Sequence, residues 1–81
     1  MGRTEGTMKL KQRLMLLHFE TGLTIAQDAV KSSVPTRTFT DILYGRTVMP
    51  KGDTLEKLAR HYDVSADYLL GFSDNRRRFG E

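Results

Sequence analysis

Glycine and proline cut this chain into short stretches, and nearly every stretch repeats its apolar residues three and four positions apart. Gly22, Pro35, Gly45, Pro50, Gly52 and Gly71 are the punctuation. Between them fall Leu10, Leu14 and Leu17; then Ile25, Ala26, Ala29 and Val30; then Phe39, Ile42 and Leu43; then Leu55, Leu58, Ala59 and Tyr62. That spacing lines one face of a helix, and no stretch alternates as a strand would. There is no internal repeat. At 81 residues the chain suits one domain with a small core. The expectation is an all-α, compact domain of five short helices.

Capping residues give the boundaries. Thr7 is a plausible N-cap for a first helix over residues 8–20, with Gly22 as its stop. Thr24 opens a second helix that reaches Ser32, and Ser33, Val34 and Pro35 break it. Proline lacks a backbone donor but fits the first turn of a new helix. A third helix is therefore expected over residues 36–44, ended by Gly45, then a loop over 46–52. The fourth helix covers about residues 53–62. Ser65 caps a last one through Leu70, with Asp67 in its first turn, where the helix dipole favours a carboxylate. Residues 1–7 are expected to be a flexible arm, 8–72 the domain, and 73–81 a basic tail carrying Arg76, Arg77 and Arg78.

Composition excludes several function classes. With no cysteine there is no disulfide and no thiolate zinc site. His18 and His61 lie too far apart for a local metal-ligand motif and read as partly buried packing residues. The serines sit at turns or caps, with no Ser–His–Asp pattern, no Gly-rich phosphate loop and no paired carboxylates. No catalytic residue, metal or cofactor is expected. The longest apolar run, residues 14–17, is far short of a membrane span, and the amino terminus lacks a signal-like stretch; a soluble cytoplasmic protein is the simple expectation. The net charge of +3 is modest. Residues 8–73 hold nine Lys/Arg against seven Asp/Glu, so charge alone is weak support for a nucleic-acid partner.

Pattern is stronger support. Opposite the Phe39, Ile42 and Leu43 stripe, the third helix carries Thr36, Arg37, Thr40, Asp41 and Tyr44. These short hydrogen-bonding groups and one arginine differ from the Glu/Lys pairs of an ordinary solvated helix. They suit base edges in a major groove: Arg for guanine, Thr for several bases or the thymine methyl, Asp for cytosine N4. A short helix, a three-residue turn and a second short helix would present such a face. Gly22-Leu23-Thr24, Ala29, the run from Val34 to Gly45, and Pro50 together resemble the Cro/C1-type (phage repressor-like, XRE) helix-turn-helix family. The run from Thr54 to Ala59 and that from Asp63 to Gly71 are similar to the family's last two helices. The resemblance spans about three-quarters of the chain; the order and spacing of its pieces are more specific than any one piece.

The resemblance implies a sequence-specific, double-stranded-DNA-binding transcriptional regulator, most simply a repressor, acting as a homodimer. It implies base contacts from Thr36, Arg37, Thr40 and Asp41, and phosphate contacts from Tyr44, Arg46 and Lys51, with Lys31 as a further candidate near the turn. Asp41 has a second reading, an i,i+4 ion pair with Arg37. Arg76, Arg77 and Arg78 read equally as a DNA arm, a solubilising end or a linker. Three residues depart from the family pattern. Ile25 stands where a polar phosphate contact is usual. Ser33 replaces the turn glycine, which is tolerable where the backbone is not strongly left-handed. Asp28 occupies a slot normally filled by buried leucine, where an unpaired carboxylate is costly. The second helix is therefore expected to rotate so that Ile25, Ala26 and Val30 face inward. The alternative from another class is a helical protein-interaction module, of antitoxin or antirepressor-binding type, on the same fold.

Overall fold

The computed structural model describes residues 2–47 and 49–77, of which residues 2–8 are described by their backbone alone. Five helices follow one another: α1 (Gly2–Thr21), α2 (Ile25–Ser32), α3 (Thr36–Leu43), α4 (Gly52–Tyr62) and α5 (Ala66–Leu70). There is no strand among the described residues. Helices α2 to α5 lie within one residue of the boundaries the capping pattern predicts. Thr24 and Gln27 form a reciprocal capping box on α2, and the Ser65 hydroxyl accepts from the Tyr68 N–H on α5. The first helix begins earlier than expected. Thr7 lies inside α1 and is not its cap, and most of the segment expected as an arm is helical backbone. No proline lies ahead of Met8 to force a stop.

Helices α1, α3 and α4 contribute their predicted stripes to one core, and α5 adds to it. Leu10, Leu14 and Leu17 of α1 meet Phe39, Ile42 and Leu43 of α3, Leu55, Leu58 and Ala59 of α4, and Tyr68 and Leu69 of α5. Burying each large apolar side chain stabilises the fold by about 1.5–3 kcal/mol. α1 packs mainly on α5 and α3, while α2 is held between α3 and α4. Gly71 allows the α1–α5 approach. It is left-handed (φ +85°), and a Cβ there would lie 2.5 Å from the Cβ of Lys9.

The second helix does not rotate. Ala26 and Val30 face solvent, Ile25 is half-buried against the core, and Asp28, Ala29 and Ser32 point inward. The inward rotation expected from the carboxylate is therefore corrected: Asp28 is buried because it has partners. Ser33, the C-cap of α2, is left-handed after all (φ +63°, ψ +31°). Its N–H still closes the helix by bonding the Ala29 and Val30 carbonyls. A non-glycine residue in this region costs about 1–2 kcal/mol, which the capping bonds and the burial of the adjacent Val34 offset.

Residues 73–77 fold back on the body. The Arg13 guanidinium donates to the carbonyls of Tyr68 (3.1 Å) and Ser73 (3.0 Å) and to the Asp74 carboxylate (2.9 Å). Arg76 donates to both carboxylate oxygens of Glu20 and to the Tyr68 hydroxyl. The basic tail thus has one of its three arginines tied to α1 and α5; Arg78 lies outside the described residues.

Candidate nucleic-acid interface

The eight candidate contact residues do not make an interface unless the fold gathers them, so the placement of each matters. Phe39, Ile42 and Leu43 bury one side of α3, which turns Thr36, Arg37, Thr40, Asp41 and Tyr44 toward the other. Arg37, Thr40, Asp41 and Arg46 line one open depression on that side. Thr36 and Tyr44 are exposed at the two ends of the helix. Lys51 is exposed and is the N-cap of α4. Lys31 is separate: it lines two other depressions, one with Ala26, Gln27 and Val30, the other with Ser32, Ser33, Lys57, Arg60 and His61.

Hydrogen bonding sorts these side chains further. The Thr40 hydroxyl donates to the Thr36 carbonyl at 2.8 Å, which leaves its lone pairs and methyl for an outside partner. Asp41 pairs with Arg46, whose Nε lies 3.1 Å from Oδ1, and not with Arg37. The Tyr44 ring centroid is 5.6 Å from the Arg46 guanidinium carbon, a cation–π distance. Arg37 is exposed on the same depression.

The helix ends add a second electrostatic feature. α2 and α5 have side-chain caps, whereas α3 and α4, whose N-caps are Pro35 and Lys51, have none. Their first-turn N–H groups remain as donors at the positive end of a helix dipole, an arrangement that suits a phosphate oxygen.

Behind this face lies a polar cluster that the sequence reading did not assemble. Asp28 has no exposed surface. One carboxylate oxygen accepts from His18 Nδ1 at 2.6 Å and from the Tyr62 hydroxyl; the other accepts from His61 Nε2 at 2.5 Å. Burial alone would raise the Asp28 carboxyl, but the hydrogen bonds from Tyr62, His18 and His61 and the pull of His61 outweigh it and hold it below the ordinary value. The Tyr62 phenol is pushed far above its ordinary range, first by burial and then by the carboxylate it serves. The cluster joins α1, α2 and α4, and the His18 ring stands edge-on to Phe39 of α3 at 5.6 Å. His18 and His61 are therefore packing residues with a specific task. The signal available in the sequence was Asp28 itself, since a carboxylate in a core slot needs donors nearby.

Among the described residues no group of side chains has the arrangement of a metal site, and no helix is long and apolar enough to cross a membrane. No family model, curated protein or solved structure matches the chain.

Proposed function

We propose that this protein is a Cro/C1-like, helix-turn-helix transcriptional regulator that binds duplex DNA in a sequence-specific way, with α2 and α3 as the motif and α3 in the major groove. The observation that carries this reading is the outer face of α3: Arg37, Thr40, Asp41 and Arg46 share one open depression, on a helix whose own N-terminus has no side-chain cap. Arg37 and Thr36 serve as base readers, while Arg46, Tyr44 and Lys51 face the backbone. Lys31 is a peripheral phosphate contact at most, given its separate position. A homodimer on two half-sites about one helical turn apart would turn one weak module into a selective one.

Selection from random duplex DNA at two salt concentrations tests this. The wild-type chain should recover a palindromic motif with steep salt dependence, and Arg37→Ala should blur one position of each half-site. Weak, sequence-independent binding by the wild type would remove the functional meaning of α3.

A second reading is favoured by one observation. Met15, Leu16 and Phe19 form an exposed apolar stripe on α1, with Phe19 82% exposed. A protein-interaction module would use that stripe and would bind its partner unchanged after Arg37→Ala.

A further inference from the structure

Asp41 lies on the proposed reading face, yet one carboxylate oxygen and its main-chain carbonyl are occupied within the chain. Oδ1 accepts from Arg46 Nε at 3.1 Å. Its main-chain carbonyl accepts from the N–H groups of Arg46 (2.7 Å) and Thr47 (3.1 Å). One residue therefore closes the end of α3 and also grips the side chain that follows the turn. Arg46 is bonded through Nε alone and is 62% exposed. Both of its Nη groups are without a protein partner among the described residues, and the Tyr44 ring flanks the guanidinium.

We propose that Asp41 is a positioning residue that aims the Nη edge of Arg46 at a DNA phosphate and contacts no base itself. This rests on the DNA-binding reading above. The Nη edge presents two parallel donors, which match the oxygens of a backbone phosphate. A free arginine gives up most of its rotamer freedom when it binds, whereas a planar fork already held by Nε loses less. A carboxylate that read cytosine would accept from N4, whereas the paired oxygen here, Oδ1, is committed to Arg46. As a largely exposed ion pair, Asp41–Arg46 contributes little to folding, so its effect on binding is separable from stability.

The test is a double-mutant cycle on the full chain, using the duplex recovered from random-sequence selection, with Asp41→Asn, Arg46→Ala and the double variant, and with melting curves to confirm that each folds. Arg46→Ala is expected to weaken binding about tenfold in the wild type, the scale of one charge-assisted contact, and clearly less on the Asp41→Asn background. Asp41→Asn should leave the selected motif unchanged. Additive effects overturn the proposal, as does a preference that relaxes at a single base pair in Asp41→Asn, which would make Asp41 a reader. A wild-type chain that selects no motif overturns the DNA-binding reading itself, and the proposal with it.

Discussion

Asp28 and Asp41 sit on the two helices that flank one turn, and the fold treats them in opposite ways. Asp28 is fully buried and receives three hydrogen bonds from α1 and α4. Asp41 is partly exposed and holds a single arginine from the loop beyond its own helix. The first carboxylate joins α1, α2 and α4; the second holds Arg46 on the outer side of α3. Neighbouring acidic residues on a small domain can thus divide the work, one fixing where α2 sits against the body and the other fixing where a guanidinium points. Stability should depend strongly on the first and little on the second, and binding should depend on both for different reasons.

The largest expected effect is on Asp28. Asp28→Ala leaves two imidazoles and a phenol without their shared acceptor in a closed site, and should cost about 3–5 kcal/mol. For a small domain with a total stability of about 5–15 kcal/mol, denaturant melts would show this plainly. A loss under about 1 kcal/mol would mean that water or relaxation replaces the carboxylate, and the contrast between the two aspartates would disappear.

Acidification should give a smaller, graded loss. The folded-state Asp28 carboxyl is held below the ordinary aspartate value, so its contribution is fully present above the unfolded value and fades as the pH falls through the folded one. Stability measured by urea melts should therefore drop below about pH 4, and the drop should be shallower in Asp28→Asn. Glu20 is also held low, by hydrogen bonds from Arg76, but it is exposed, and Glu20→Gln should leave the acid limb essentially unchanged. An acid limb identical in wild type and Asp28→Asn would show that other carboxylates govern it.

The smallest effect belongs to Asp41. Asp41→Ala keeps the main-chain bonds that end α3 and removes one largely exposed ion pair, so its stability should stay within about 1 kcal/mol of wild type. A larger loss in thermal melts would mean that the pair is structural.

Particular residues show what the sequence made legible. Thr24, Ser65, Pro35 and Gly71 mark helix ends through chemistry local to a few positions, and the structure follows them. Thr7 was read as the cap of α1, yet the helix runs through it, because a lone threonine caps only where the preceding backbone leaves the helix. The outward stripe of α3 follows from helical geometry once Phe39, Ile42 and Leu43 are inside, so the gathering of Arg37, Thr40 and Asp41 was readable. The partner of Asp41 was not. An arginine preceding an aspartate by four residues is the weaker order for a helical ion pair, and the left-handed Gly45 (φ +78°) turns Arg46 back toward the last turn of α3. Asp28 was recognised as anomalous, but its donors are 10, 33 and 34 residues away. Periodicity says which face is inward and nothing about which polar groups meet there.

The most direct test of the account is a nitrogen-15 NMR titration of the full chain with the selected duplex. The account predicts that amide shifts concentrate at residues 36–37, 40–41, 44–46 and 51, while the amides around Asp28, His18 and His61 move little. Shifts concentrated instead on Met15, Leu16 and Phe19, or spread without saturation at any salt, would contradict it.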